Sequence, residues 1–217
     1  MPSRPTAIET PRRTRRKETR PGELIEAALN LFIEKGFAAT KSEEVAQRAG
    51  VSKGTLFLYF ATKEDLFKAV VRDNISSLFP SWNDELANFK GSCGEMLAYA
   101  MNSWWHSMGK TKAGGIVKLV MSEAQNFPDI ALFYQQEVIT PGTQLLKKIL
   151  QRGVDSGEFR SLDLEQAVFT LVAPMIYLMM WNNSMGCCVS TVNQDMKPEQ
   201  FIQLQVDVLL NGLKAKQ

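Results

Sequence analysis

Residues 40–60 read TKSEEVAQRAGVSKGTLFLYF, and this stretch predicts two short helices separated by a glycine joint. Thr40 followed three residues later by Glu43 forms a capping box, which marks the start of the first helix. Gly50 supplies the joint, and Ser52 is a residue type that caps the start of a second helix. Two helices at this spacing predict a helix-turn-helix, in which the first helix lies across the DNA backbone and the second enters the major groove.

The second helix, predicted over residues 52–60, begins with small or polar side chains, as entry into a groove requires. Its first turn holds Gly54, and a glycine there costs about 1 kcal/mol of helix stability relative to alanine. Close approach to DNA gives a reason for a glycine at this position. Leu56 and Phe60 are apolar, and we expect them to hold the helix against the core.

The flanking sequence predicts an all-α fold of about nine helices, with a three-helix N-terminal domain and a helical C-terminal domain. Apolar residues recur at spacings of three and four, with glycine or proline at the joints. Pro21 suits the first turn of the first helix, Gly36 its end, and Thr62 the cap of a fourth helix. The first helix carries an apolar stripe formed by Leu24, Ala27, Ala28, Leu31 and Phe32.

The net charge of the 217 residues is only +2, but the charge is unevenly distributed. Residues 1–20 hold seven basic and two acidic side chains, whereas the rest of the chain is slightly acidic. A basic arm on an acidic body suits a polyanionic partner that is contacted at one end, and a solvated tail is the alternative interpretation.

Cysteine and histidine usage argues against a disulfide framework, a metal site and a catalytic triad. The cysteines are Cys93 and the adjacent pair Cys187 and Cys188, without a CxxC spacing, and His106 is the only histidine. We therefore expect no cofactor, no metal and no enzymatic activity, in a reducing cytoplasm. The start of the chain does not resemble a secretory signal. The apolar run over residues 167–181 is short for a membrane span, so we predict a buried helix and no membrane partner.

Three stretches are similar to the DNA-binding domain of the tetracycline-repressor (TetR) family. They are GFAAT at 36–40, VAQRAGVSKGTLFLYF at 45–60 and KEDLF at 63–67, and they match without a gap. The resemblance implies a homodimer, usually a repressor, that leaves a palindromic operator when a small molecule binds the C-terminal domain. The chain would then consist of a flexible basic arm, a helix-turn-helix domain, and a ligand-binding and dimerisation domain, at residues 1–20, 21–66 and 67–217.

The same resemblance implies which side chains contact double-stranded DNA. Phosphate contacts are implied for Thr40, Thr55, Tyr59 and Lys63. Base-edge contacts are implied for Ser52, Lys53, Gly54 and Leu58, and Lys41 completes this part of the surface. Arg15, Arg16 and Arg20 precede the first helix, and we expect them to reach phosphates or an adjacent minor groove. The family often has tyrosine where Phe57 stands, so no hydroxyl contact is expected from that position.

Aromatic and methionine side chains concentrate in the C-terminal part, which predicts a pocket for a small hydrophobic effector. Trp104 and Trp105 are adjacent and cannot share one helix face, so only one of them points inward, and we assign Trp105 to the pocket. The candidate effector-binding residues are Asn102, Trp105, His106, Met108, Phe133, Tyr134, Tyr177, Met180 and Trp181.

The last two predicted helices, over about 163–185 and 198–213, are apolar on more than one side and therefore need a partner surface besides their own core. A four-helix bundle between two subunits is the simplest symmetric solution, and two core helices of a large monomer are the alternative. The predicted interface consists of Val168, Leu171, Val172, Met175, Met179, Phe201, Leu204 and Val208.

Two other functions remain open from the sequence. A helical-bundle enzyme would use His106 and nearby acids, but the sequence has no glycine-rich phosphate loop, metal-ligand cluster or nucleophile motif to support it. A small-molecule-binding helical protein without operator specificity would be excluded by a specific footprint on DNA. Whether the regulator represses or activates depends on where its operator lies.

Overall fold

The computed structural model describes residues 12–184, 186 and 197–213, with side chains from residue 20 onward. In these ranges the chain forms α-helices joined by turns, which confirms the predicted all-α fold. The DNA-binding half contains α1 (Arg12–Ala39), α2 (Ser42–Arg48), α3 (Lys53–Tyr59) and α4 (Lys63–Asn74). The C-terminal half contains α5 (Phe79–Ala87), α6 (Cys93–Trp104), α7 (Ala113–Glu123), α8 (Pro128–Tyr134), α9 (Thr140–Asp155), α10 (Leu164–Asn182) and α11 (Pro198–Leu213).

The start of α1 corrects the position predicted from Pro21. The helix begins at Arg12, so the second half of the predicted flexible arm is helical and Pro21 lies inside α1. A proline there removes one N–H from the helix ladder. The preceding residues are mostly arginine, lysine and glutamate, which are good helix formers. Residues 1–11 and the side chains of Arg15 and Arg16 lie outside the described part of the chain.

The predicted caps of α3 and α4 are confirmed. The Ser52 hydroxyl accepts a hydrogen bond from the Thr55 N–H at 3.1 Å. The Thr62 hydroxyl accepts one from the Asp65 N–H at 3.0 Å, and the Asp65 carboxylate accepts one from the Thr62 N–H at 3.2 Å. Both helices therefore begin where their sequence signals place them, because a cap depends only on residues three apart.

The predicted capping box of α2 is wrong by one residue. Glu44, rather than Glu43, accepts a hydrogen bond from the backbone N–H of Lys41 at 3.3 Å. Thr40 does not cap α2, because its hydroxyl donates back to the carbonyl of Gly36 at 2.7 Å. This return is possible because α1 breaks at Gly36, whose φ of +83° lies in the left-handed region that favours glycine.

Helices α1–α4 close around an apolar core that contains the predicted stripe of α1 and buries Leu56 of α3 completely. The ring centroids of Phe32, Phe37 and Phe67 lie 5.5–5.8 Å apart, in tilted and edge-to-face arrangements. A ring from the C-terminal domain, Phe127, reaches to 4.9 Å from Phe37. The aromatic cluster therefore joins the DNA-binding helices to the rest of the molecule.

A π-helical turn over Gln135–Ile139, called the π-turn below, separates α8 from α9. The division lies just before Pro141, which has no N–H to bond the carbonyl of Glu137. That carbonyl accepts a hydrogen bond from the Ser76 hydroxyl at 3.4 Å instead. Such π-turns are uncommon and are often found at functional sites.

The turn before α10 ties the C-terminal helices together. The Glu158 carboxylate accepts hydrogen bonds from the backbone N–H groups of Cys93 and Gly94, at 2.6 and 2.8 Å. It thereby caps the start of α6, where a negative charge is favourable. The side chain of Cys93 is buried, whereas Cys187 and Cys188 lie outside the described residues.

Among the described helices, α10 is long and apolar enough to cross a membrane, judged by length and composition alone. It packs against α7, α9 and α11. Met175 and Leu178 are buried by these neighbours, while Phe169 and Tyr177 are exposed on the opposite side. The predicted buried helix is therefore buried along one side only.

Candidate DNA-binding surface and effector cavity

The joint between α2 and α3 is a tight turn built on Gly50, whose φ is +67°. The N–H of Val51 donates to the carbonyl of Ala46 at 2.9 Å, which closes the end of α2. Val45 of α2 and Leu56 of α3 are fully buried. These contacts fix the angle between the two helices and leave the opposite side of α3 facing solvent.

The exposed side of α3 carries the residues for which base contacts are predicted. Ser52, Lys53 and Gly54 are exposed at its start, and Leu58 is 84% exposed one turn further on. A Cβ added at Gly54 would meet no atom closer than the Ser52 hydroxyl at 3.8 Å, so the chain's own packing does not require glycine there. An exposed leucine beside small polar residues is suited to contact with a thymine methyl.

Lys53 forms an ion pair with Glu43 of α2, and its ammonium lies 5.7 Å from the centroid of the Phe57 ring. The hydrogen bond from Lys53 holds the pKa of the Glu43 carboxyl below its usual value. More than half of both side chains is exposed, and an exposed pair contributes little stability. Lys53 can therefore exchange this carboxylate for a base edge or a phosphate at small cost.

Thr40 is placed differently from the prediction. Its side chain is 1% exposed, and its hydroxyl donates to the carbonyls of Gly36 and Leu31 at 2.7 and 3.2 Å. The structure therefore does not present this hydroxyl at the surface, where a phosphate could reach it. The hydroxyl instead satisfies carbonyls that α1 leaves without partners at its end.

Lys63 is also turned away from its predicted phosphate. Its ammonium donates to the carbonyls of Phe37, Ala38 and Thr40 at 2.8, 3.3 and 3.1 Å. It lies 4.4 Å from the centroid of the Phe37 ring, within cation–π range. All three ammonium hydrogens are thus used at the C-terminal end of α1, where a positive charge is favourable.

The other predicted DNA contacts differ in their exposure. Lys41 is exposed at the start of α2, while Thr55 and Tyr59 are half-buried on α3. Arg20 is half-buried within α1. The exposed predicted contacts are therefore Lys41 and the residues at the start of α3, whereas the side chains of Thr40 and Lys63 bond to backbone carbonyls of the domain.

A cavity of about 760 Å³ lies in the C-terminal domain between α5, α6, α7, α9 and α10. This volume lies within the range of sites that hold small molecules. Burial raises the pKa of the Tyr134 phenol well above its usual value, so the hydroxyl stays neutral in the wall. The largest aromatic side chains in the lining are Phe79, Trp82, Tyr99, Trp104, Tyr134 and Phe169.

Only two of the predicted effector-binding residues, Met108 and Tyr134, line this cavity. Trp104 lines it and Trp105 does not, so the predicted choice between these two side chains is wrong. Trp105 is buried against Gly109 instead. As expected for adjacent residues, only one of the two tryptophans faces the cavity. The periodicity of apolar residues could not decide which one.

The remaining predicted effector residues lie elsewhere. Asn102 and His106 are exposed and bond within their own helical turn, through the Asn102 amide to the Ala98 carbonyl and His106 Nδ1 to the Asn102 carbonyl. Phe133 is buried beneath cationic side chains of α4. The lining also omits three residues near the end of α10, namely Tyr177, Met180 and Trp181.

The residues of the predicted dimer interface differ in how far the subunit itself buries them. On α10, the side chains of Val168, Leu171, Met175 and Met179 are buried within the subunit, and Val172 lines the cavity. The exposed apolar side chains of this helix are Phe169 and Tyr177. On α11, Leu204 and Val208 are exposed by 62% and 61% as expected, and Phe201 is half-buried.

Two contacts connect the cavity region to the DNA-binding helices. Glu123 at the end of α7 accepts a hydrogen bond from the backbone N–H of Ala38 at 3.2 Å. Arg72 of α4 donates to Glu137 of the π-turn at 2.8 Å, and its guanidinium lies 5.1 Å from the Phe133 ring centroid. Val138 and Ile139 of the same π-turn line the cavity, so this turn contacts both the cavity and α4.

Within the described part of the chain, no group of three or more histidine, cysteine or carboxylate side chains is placed to hold a metal ion.

Comparison with known proteins matches both halves of the chain. Residues 24–70 match the model of bacterial regulatory proteins of the tetR family, and residues 90–185 match the model of the tetracycline repressor-like C-terminal domain. The two matches together cover about two thirds of the chain. The chain is 27% identical over 195 residues to the HTH-type transcriptional repressor KstR2 of Rhodococcus jostii, covering 89% of this chain and 92% of that protein.

Solved structures share the fold along almost the whole chain. The fatty acid degradation regulator FadR from Bacillus halodurans superposes with a TM-score of 0.73 at 20% identity, covering 97% of this chain and 100% of that one. FadR from Bacillus subtilis, solved in complex with stearoyl-CoA, gives a TM-score of 0.69 at 20% identity, covering 88% and 98%.

Proposed function

Because the chain belongs to the TetR family of bacterial regulatory proteins, we propose that it binds operator DNA as a homodimer and leaves it when an apolar effector enters the C-terminal cavity. It is a DNA-binding transcriptional regulator rather than an enzyme, as its relatives are. Its place of action is the cytoplasm, where the DNA is.

The exposed start of α3 is the observation that carries this proposal. Lys53 and Gly54 lie on a helix that is anchored by Leu56 and free on its other side. A recognition helix needs this combination, because the base edges must meet side chains whose backbone is held rigidly by the domain. Leu58 extends the same surface by one turn.

Homodimerisation is supported by the apolar side chains that α10 and α11 leave exposed. Phe169, Tyr177, Leu204 and Val208 are each more than 60% exposed. Two copies that pair through these faces would form a four-helix bundle with twofold symmetry. Symmetry would present two copies of α3, as a palindromic operator with half-sites about one helical turn apart requires.

Effector release is supported by the π-turn between α8 and α9. Val138 and Ile139 of this turn line the cavity, and Glu137 of the same turn holds Arg72 of α4. A ligand that displaces the turn would also move α4. Because α4 packs within the DNA-binding domain, this movement would change the distance between α3 and the α3 of the second subunit. Effector and operator would then prefer different positions of the same element, which is what coupling between two sites requires.

The operator part is tested by selecting fragments of genomic DNA bound by the purified full-length chain. We expect one palindromic motif, and Lys53→Ala should weaken binding to it by about 1–3 kcal/mol. Lys90→Ala, at an exposed lysine between α5 and α6, is the matched control and should bind as the wild type does. Recovery of fragments without a common motif would contradict operator recognition.

The effector part is tested with a variant that fills the cavity. Ala100 lines the cavity, so Ala100→Trp should reduce binding of an uncharged apolar dye such as Nile red at least tenfold. The same variant should bind the operator normally. Unchanged dye binding would show that the cavity is not the ligand site.

A further inference from the structure

The charged side chains that line the C-terminal cavity do not balance one another. They are Glu85 of α5, Lys147 of α9 and Glu165 of α10. Lys147 and Glu165 form an ion pair with each other, so their charges cancel. The carboxylate of Glu85 remains, and it gives the wall of the cavity a net negative charge.

Glu85 has no cationic partner in the part of the chain that the structure describes, because no lysine or arginine lies within ion-pair distance of its carboxylate. Lys148 of α9 reaches α5, but it donates to the side chain of Asn83 at 3.3 Å. Glu85 lies two residues further along α5 and therefore on a different side of that helix. An anion without a counter-ion in the wall of a largely apolar cavity favours a positively charged group in the ligand.

The phenol of Tyr99 holds this carboxylate at the cavity wall. Its hydroxyl donates to Oε2 of Glu85 at 2.9 Å, and both side chains line the cavity. The hydrogen bond to the carboxylate raises the pKa of the Tyr99 phenol, which therefore stays neutral and keeps its proton as donor. The bond links α5 to α6 and uses one carboxylate oxygen, so the other oxygen is left for a ligand.

Helices α5 and α6 also supply aromatic rings to the lining. Trp82 precedes Glu85 by three residues, so the two side chains share one face of α5. The ring of Phe79 lies 5.5 Å from that of Trp82 in an edge-to-face arrangement, and Trp104 of α6 lines the cavity as well. The face of an aromatic ring attracts a cation, most strongly where water is excluded. The rings and the carboxylate therefore favour the same charge in a ligand.

We infer that the effector is an apolar organic cation, with its positively charged nitrogen at the carboxylate of Glu85 and its apolar body in the cavity. This inference rests on the proposed function, because it names the ligand class of the same cavity. An anionic ligand would be repelled by Glu85 and could pair with Lys147 only by displacing Glu165. A neutral ligand would gain nothing from the charge of Glu85.

The experiment compares three ligands that share one alkyl chain and differ in charge: decyltrimethylammonium, decanol and decanoate. Their binding to the full-length chain is measured by displacement of Nile red, below the concentrations at which they form micelles. We expect the cation to bind at least tenfold more tightly than the alcohol or the carboxylate. Glu85→Gln should lose at least tenfold in affinity for the cation while its binding of Nile red is unchanged. Asp84→Asn is the matched control, because it removes the same charge from an exposed neighbour on α5 that does not line the cavity, and it should bind all ligands as the wild type does.

Several outcomes would overturn the inference and leave the proposed function standing. Equal affinities for the cation and the alcohol would show that the positive charge is not recognised, and tighter binding of decanoate would show that Lys147 rather than Glu85 selects the charge. Full affinity for the cation in Glu85→Gln, or an equal loss in Asp84→Asn, would remove Glu85 from the site. Failure of Nile red to bind the wild type at all would instead contradict the cavity as an effector site, and hence the proposed function itself.

Discussion

Lys63→Met separates two roles that the sequence and the structure assign to the same side chain. If Lys63 contacts a phosphate, as the family resemblance implies, the substitution weakens DNA binding and leaves the fold intact. If it caps α1, as the structure shows, the substitution destabilises the fold and leaves DNA binding intact. Methionine keeps an apolar stem of similar length and removes only the ammonium.

The magnitude follows from the hydrogen bonds that are lost. Of the three carbonyls that accept from Lys63, those of Phe37 and Thr40 are in part-buried bonds and that of Ala38 is exposed to water. A hydrogen bond to a charged group contributes about 1.5–3 kcal/mol, and three bonds to one ammonium are not additive, so we expect a loss of about 2–3 kcal/mol. For a domain of this size, that corresponds to a fall in melting temperature of about 4–10 °C.

The assay is equilibrium unfolding in urea, followed by circular dichroism at one fixed protein concentration because dimer stability depends on concentration. Operator affinity is measured in parallel by fluorescence anisotropy over a range of salt concentrations. Lys53→Met is the matched control: its side chain is more than half exposed, so stability should stay within about 0.5 kcal/mol while operator affinity falls. Our reasoning is refuted if Lys63→Met is as stable as the wild type and its salt slope falls by about one.

Three further perturbations test other parts of the structure. Leu204→Asp should convert the homodimer to a folded monomer in sedimentation velocity, since this exposed side chain lies on the proposed interface; a retained dimer would move the interface elsewhere. Thr40→Val should cost about 1–3 kcal/mol in urea unfolding without changing the salt dependence of DNA binding, whereas a shallower salt slope would restore the phosphate contact. Arg72→Gln should reduce effector-driven release of DNA while changing stability by less than about 1 kcal/mol, and normal release would exclude this route of coupling. The hydrogen bond from Arg72 lowers the pKa of the Glu137 carboxyl. The ion pair is therefore fully formed above the ordinary carboxyl pKa and is lost only as the pH falls through the lowered value. Effector-driven release of DNA should accordingly be constant from about pH 6 to 8.

The choice of face on α10 shows where sequence reasoning stops. Apolar residues occur on every side of α10, so their spacing does not single out one buried face. From the sequence we could predict only that the helix contacts two partner surfaces. The structure turns Val168 and Met175 inward and Phe169 and Tyr177 outward. Trp104 ends α6 and Trp105 begins a π-helical turn, so a periodicity of 3.6 residues could not decide which of the two faces the cavity.

The amino-acid sequence by itself determined the features that depend on neighbours within one turn of the chain, namely the helices and the caps at Ser52 and Thr62. Only the tertiary structure decided where Lys63 directs its ammonium, because the carbonyls that accept from it lie 23 to 26 residues earlier in the chain. It also decided where the cavity lies, since its lining requires residues of α9 and α10 to be placed side by side. The physical reason is that hydrogen bonds within a turn are set by local geometry, whereas burial is set by whichever surfaces meet when the chain packs.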